Sequence, residues 1–306
     1  MLVTNKKIMS AAMSGKYAVG AFNINNLEIL QAVVEAAVEE ESPAIIAMTP
    51  SAIKYAGLEY LASLVKIAAK DVSLPMSLHL DHGKELETVK SCIDAGFTSV
   101  MIDASHLSFE ENVAVTSKVV ALAHPKGVSV EAELGRLAGI EEETVADEDA
   151  VLTDPDSAKE FVKRTGVDAL AVAIGTSHGA YKFKGEPRLD FERLKTIREK
   201  VDVLLVLHGA SSVPSWIIER ATKYGAELGG AKGIPEGHIR RAISLGVSKI
   251  NIDTDLRLAF TGAVREVLAT APKQYDPRKI LGPAKEATKT VVKGKMSLFG
   301  SAGKAP

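Results

Sequence analysis

Cysteine is nearly absent: the 306 residues contain one, Cys92. A lone thiol excludes an internal disulfide framework and any metal site built from thiolates, so a metal held here must rest on imidazole and carboxylate groups. A surplus of positive charge is missing as well. Lys and Arg number 37 against 39 Asp and Glu, a formal net charge of −2, which leaves no global basic field to neutralise a nucleic-acid backbone. No segment offers the roughly 18 consecutive apolar residues of a membrane span. The opening MLVTNKKIMSAAMSGK lacks the apolar run of a signal peptide, so the expected compartment is the cytoplasm, with no membrane or nucleic-acid partner. A GxGxxG fingerprint between an early strand and its helix is also missing, which weighs against a dinucleotide-binding open sheet.

What is present fits a large α/β domain. Hydrophobic residues make up 46% and charged residues 25%, enough for a sizeable core under an ordinary polar surface. The length suits either one large barrel or two ordinary domains. From Tyr17 onward, short apolar or β-branched runs alternate with longer segments of helical periodicity. The expected strands are 18–22, 44–48, 76–80, 99–103, 129–133, 169–174, 204–207 and 249–253. Helices are expected at 27–40, 58–70, 85–95, 109–123, 158–165, 191–200, 214–224 and 256–269. Eight such units predict a single (β/α)8 TIM barrel spanning 1–306, with a doubly wound open sheet as the competing architecture. A short flanking helix is expected at 4–14 and a C-terminal helical extension at about 276–306. The acidic stretch at about 137–156 reads as a surface loop, with room for a short helix, at the catalytic end of the barrel, where loops commonly act as lids. A glycine-rich insertion at 225–235 precedes a small helix that feeds the last strand.

Three of the seven histidines share a context. His82, His178 and His208 each precede glycine, in LHLDHG, IGTSHGA and VLHGASS, at or just beyond the ends of the third, sixth and seventh expected strands. Barrel closure would bring them to one mouth, and three imidazoles suit a zinc site with an open position. The alternative is three unrelated neutral histidines that support loops. His79 sits deeper in its strand, and His106, His124 and His238 lack the pattern. Asp81, adjoining His82, is the acid–base candidate, against a plainer role of orienting a ligand. Asp103 and Glu133 end the next two strands, where they can bind an alternate metal position, brace the imidazoles or form salt bridges inside the barrel.

A second set of residues suits phosphate. HGAYKFKG supplies backbone donors at Gly179 and charge at Lys182, and HGASS supplies Gly209 and Ser211. NIDTDLR places Asn251, Asp253 and Thr254 at the mouth just before a helix N-terminus. Arg257 and Arg278 suit a second phosphate or, equally, surface or subunit salt bridges.

The segments SLHLDHG, GFTSVMIDASH, VSVEAELGRLAGIEE, GTSHGAYKFKGEP, VLLVLHGA, INIDTDLRLAF and FGSAGK, with MLV and GAFN near the start, resemble class II fructose-bisphosphate aldolases over essentially the whole chain, in the branch shared with tagatose-bisphosphate aldolases. The resemblance implies a glycolytic and gluconeogenic lyase that reversibly cleaves fructose 1,6-bisphosphate to dihydroxyacetone phosphate and glyceraldehyde 3-phosphate. It implies catalytic Zn2+ on His82, His178 and His208, with Asp81 as acid or base at the C4 oxygen, and Asp103 and Glu133 near an alternate divalent-metal position. Gly179, Lys182, Gly209, Ser211, Asp253 and Thr254 match the phosphate region, with a monovalent cation (Na+ or K+) nearby, and Asn23 and Asn251 match substrate contacts. A phosphate-binding hydroxyl is expected near TPSAIKYAG, at Ser51 or Thr49. The residue that moves the enediolate proton is open between 141–143 and His178. A homodimer or homotetramer is implied, with the terminal helix and Arg278 as interface candidates. Tagatose-bisphosphate cleavage and a noncatalytic phosphosugar-binding barrel are the alternatives.

Overall fold

The computed structural model describes residues 2–136, 138–141, 144–146, 151–178, 189–228 and 233–305, and for 138–141, 144–146 and His178 the backbone alone. The strands are β1 (Val19–Asn23), β2 (Ala44–Met48), β3 (Met76–Gly83), β4 (Ser99–Ile102), β5 (Ser129–Leu134), β6 (Ala138–Glu141), β7 (Thr144–Ala146), β8 (Ala169–Val172), β9 (Ser177–His178), β10 (Leu204–Leu207) and β11 (Val247–Ile252). The helices are α1 (Asn5–Gly15), α2 (Leu27–Glu39), α3 (Pro50–Ala56), α4 (Leu58–Lys70), α5 (Leu86–Asp94), α6 (Phe109–Ala123), α7 (Pro155–Thr165), α8 (Phe191–Lys200), α9 (Ser215–Lys223), α10 (Glu236–Ser244), α11 (Thr254–Thr270) and α12 (Pro277–Phe299).

Eight strands pair in parallel and close in the order β1-β2-β3-β4-β5-β8-β10-β11, so the chain is a TIM barrel and the open doubly wound sheet is excluded. Strands such as AIIAM in β2 and LLVL in β10 are buried at every position because helices cover one side and the barrel interior the other. Alternation sorts the side chains of β2. Ile46 and Met48 join the layer under the helices, whereas Ile45 and Ala47 point inward. Ile8, Met9 and Ala12 of α1 pack with Val19, Ala169 and Leu204, which plugs the end of the barrel where the strands begin. Thr4 caps this helix by accepting from the Lys7 N–H, and Asn5 Oδ1 accepts a hydrogen bond from Ser77 near the start of β3. The opposite end, where the strands finish, is left for chemistry.

Three local features differ from the sequence expectation. The acidic stretch at 137–156 contains the antiparallel hairpin β6–β7, and β6 pairs in parallel with β9, where a surface loop is expected. Its DPD end is not loop, because Asp154 caps α7 by accepting from the Ser157 N–H and Pro155 is the first helical residue. An unforeseen helix, α3, follows β2, with Thr49 as its cap and Pro50 in its first turn.

The C-terminal helix α12 forms as expected and lies against α2, laced by Lys285–Glu35 at 2.8 Å and Lys293–Glu39 at 2.9 Å. Such solvent-screened pairs contribute little to stability. Its far end is held differently. Lys295 is buried and pairs at 2.5 Å with Asp255, which also accepts from the Val213 N–H at 2.8 Å, so α12 braces both the start of α11 and the segment after β10. Among the described residues no helix is long and apolar enough to cross a membrane.

Candidate active site

Adjacent residues on a regular strand face opposite ways, so Asp81 and His82 should not share a site. The end of β3 breaks that rule. Leu80 pairs with Val100 and Gly83 with Ile102, leaving two residues on β3 opposite one on β4, and His82 takes a left-handed φ of 49°. That backbone shape costs a non-glycine residue roughly 1–2 kcal/mol and turns both side chains into the barrel mouth. Gly83 permits the turn, since a Cβ there would lie 2.6 Å from the Met101 carbonyl oxygen. Gly209 does the same for β10: its φ is +60°, and a Cβ would lie 2.7 Å from the Ser177 carbonyl oxygen. The glycine after His208 therefore seats the backbone of β9, which carries His178, against the end of β10. Only the backbone of His178 is described.

Asp81 and His82 meet His208, and one ligand atom from each lies within 4.8 Å of the others; His82, Asp103 and Glu133 form a second such group. The rings of His82 and His208 pack edge to face with centroids 4.5 Å apart. Asp103 Oδ2 lies 3.4 Å from His82 Nδ1, and Glu133 Oε2 lies 3.4 Å from His208 Nδ1, so each carboxylate attends one imidazole. Glu133 Oε2 is buried and has no hydrogen-bond partner among the described residues. Imidazoles and carboxylates converging in this way, with a buried acceptor oxygen left unfilled, fit a divalent metal. The two groups share His82, as expected of one metal position with an alternate beside it.

Asp81 is held from both sides. Asn23 Nδ2 donates to its Oδ2 at 2.8 Å and Asn251 Nδ2 to its Oδ1 at 2.7 Å. The outer oxygens of both amides are buried and unpartnered among the described residues. Burial opposes charge on Asp81, but the positive fields of His82, Lys249 and His208 outweigh it and keep the carboxyl well below its usual range. Asp103 is also low: its bonds from His82 and Ser105 overcome burial. Glu133 is pushed the other way, up to about 7, by burial and by the charge of Asp103. Burial and the nearby His82 oppose charge on His208, but the Glu131 and Glu133 carboxylates facing its two ring nitrogens outweigh them and raise it to about 9.

The phosphate candidates fall into three groups. Gly179 and Lys182 lie outside the described residues, as do Glu142 and Glu143 of the proposed proton-moving segment. Gly209 and the buried Ser211 follow β10, and Asp253 and Thr254 open α11, so these four sit where the last two barrel strands end. Thr49 is engaged as the cap of α3, whereas Ser51 lines a groove of about 490 Å³ with Asn25, Asn26, Tyr55 and Arg257. Arg257 donates to Asp253 at 2.8 Å. Arg278 is 90% exposed and ion-paired with Asp276 at the start of α12, and it does not line that groove.

Two buried site residues escape the motif reading. Glu131 Oε1 accepts from His208 Nε2 at 2.9 Å and from Lys249 Nζ at 2.9 Å, beneath the imidazoles. The signal was spacing: Glu131 and Glu133, like Lys249 and Asn251, stand two residues apart on one strand and so share its inward face. His79 relates to Asp81 in the same way. Its Nδ1 lies 2.9 Å from Ser99 Oγ, and burial followed by the charge of Lys249 pushes its pKa down to about 3, so it is a neutral packing partner.

The profile of the family described as class II fructose-bisphosphate aldolase matches residues 3–227 and 228–304. A fructose-bisphosphate aldolase of Thermus caldophilus is 56% identical over 306 residues, covering 100% of both chains. One from Geobacillus stearothermophilus is 50% identical over 307 residues, covering 99% of each chain. Among solved structures, the YdjI aldolase from Escherichia coli K12 matches with a TM-score of 0.83 and 35% identity over 100% of both chains. With the barrel and the His82–His208–Asp81 cluster in place, these matches settle the assignment: the chain belongs to the class II fructose-bisphosphate aldolase family.

Proposed function

We propose that the chain reversibly cleaves fructose 1,6-bisphosphate to dihydroxyacetone phosphate and glyceraldehyde 3-phosphate, with a divalent metal, zinc by preference, on His82, His178 and His208. The observation that carries this reading is a buried carboxylate, Asp81, fixed by two amides beside two imidazoles of a metal-capable cluster. A divalent metal held there would supply Lewis acidity at the substrate ketone and at the carbon that becomes electron-rich when the C3–C4 bond breaks. Asp81 accepts the C4 hydroxyl proton in cleavage and returns it to the aldehyde oxygen in synthesis. Asn23 and Asn251 hold that carboxylate in one orientation, and their unfilled oxygens suit donors from a polyhydroxylated ligand.

One phosphate is assigned to Gly179, Lys182, Gly209, Ser211, Asp253 and Thr254, with a monovalent cation alongside. The other is assigned to the groove holding Ser51 and Arg257. The hairpin β6–β7, paired with the strand that carries His178, is the part of the acidic segment suited to cover this mouth. Homo-oligomerisation belongs to the same reading and is implied by the family.

The substrate assignment is tested by measuring kcat/KM on fructose 1,6-bisphosphate and tagatose 1,6-bisphosphate with the same preparation. The fructose isomer is expected to be cleaved faster, and equal or faster cleavage of the tagatose isomer would overturn it. Binding of both sugars without cleavage of either would favour a noncatalytic barrel.

A further inference from the structure

Below the mouth of the barrel lies a charged chain that the reaction itself does not use. Lys249 on β11 is wholly buried, and so is Glu131 on β5. A single oxygen, Glu131 Oε1, accepts from Lys249 Nζ at 2.9 Å and from His208 Nε2 at 2.9 Å. Its second oxygen lies 3.7 Å from His79 Nε2, and His79 is itself held by Ser99 Oγ at 2.9 Å. The bonded part of this chain, His208–Glu131–Lys249, joins β5, β11 and the residue that follows β10 directly under one imidazole, with His79 of β3 packed beside it.

We infer that Glu131, held by Lys249, is a positioning residue for the metal: it takes the Nε2 proton of His208 as a hydrogen bond, fixes the ring's tautomer and aims Nδ1 at the cluster. The chemistry follows from the bond already formed. An imidazole whose Nε2–H is donated to a carboxylate presents the lone pair of Nδ1, and such a partner both orients the ring and raises its strength as a ligand. Nδ1 of His208 faces the metal-capable side, where Glu133 lies 3.4 Å away. Lys249 has a separate role. It stabilises the buried negative charge of Glu131 so that this charge stands beneath His208 without needing a second proton from it.

The inference rests on the proposed metal site, and its test separates the two. The variant Glu131→Met/Lys249→Met removes both buried charges together, avoiding the stranded charge that either single change would leave. Zinc affinity is read by competition with a chromophoric chelator, without any assay of turnover. The double variant is expected to bind zinc about 10–100-fold more weakly than the parent, and the visible bands of its cobalt(II) form should shift because the His208 ring is no longer fixed. Affinity and spectrum unchanged from the parent would overturn the inference and leave the pair as scaffold. Glu131→Gln/Lys249→Met, which keeps the shape and an acceptor oxygen at 131 without stranding the lysine, provides the same reading if the first double variant does not fold: weakened zinc binding supports the role, and unchanged binding overturns it. A parent protein whose zinc affinity is untouched by His208→Ala would remove the metal-site reading itself, and the inference with it.

Discussion

Asp81→Ala is expected to lower kcat for fructose 1,6-bisphosphate cleavage by about 10²–10⁴-fold, the usual contribution of a positioned acid–base group, while changing substrate binding little. The carboxylate is buried, both of its oxygens are engaged by Asn23 and Asn251, and neighbouring positive charge keeps it ionised. It can therefore accept a proton from the C4 hydroxyl without first being deprotonated or turned into place. Alanine removes that acceptor and leaves two buried amides facing a small void, but it leaves untouched the segments after β10 and β11 that are proposed to bind phosphate. Steady-state kinetics with a direct binding measurement checks this. Turnover equal to the parent would reject the acid–base role, and a loss confined to KM would make Asp81 a binding residue.

The second large effect is on stability. Lys295→Met is expected to destabilise the fold by about 3–5 kcal/mol, because it strands the carboxylate of Asp255 in the interior. Asp255 is fully buried and pairs with Lys295 at 2.5 Å, and its other oxygen accepts from the Val213 N–H at 2.8 Å. This junction fixes the end of α12, the first turn of α11 and the segment after β10, which carries Ser211. Loss of the lysine should therefore lower the unfolding midpoint in urea and weaken phosphate binding together. Replacing both residues, as Asp255→Leu/Lys295→Met, should recover much of the midpoint. A single variant that unfolds at the parental urea concentration would contradict the account of this junction.

The barrel was legible because strands covered on both faces leave continuous apolar runs, and VDVLLVL or AIIAM needs no long-range information to be read. His82 and His208 were legible for a related reason: a polar residue at the end of such a run, followed by glycine, stands out. What the sequence could not carry was geometry set by neighbouring strands. Strict alternation would separate Asp81 from His82, and only the bulge opposite β4 brings them together. The hairpin β6–β7 was hidden by its acidic composition and by its pairing with β9, which is distant in sequence. Glu131 and Lys249 were readable in principle, two residues before Glu133 and Asn251, but their union required closure of the barrel to bring β5 and β11 to a common interior. α3 was not legible although Thr49 and Pro50 form a good helix start, because a helix of 7 residues is too short to show helical periodicity.

Dependence of cleavage on a divalent metal held at the barrel mouth has a direct test. Fructose 1,6-bisphosphate cleavage should be assayed on the purified protein, again after metal removal verified by elemental analysis, and again after zinc is restored. Activity is expected to fall to background when the metal is gone and to return with about one zinc per chain. A verified metal-free protein that cleaves the sugar at an undiminished rate would contradict it.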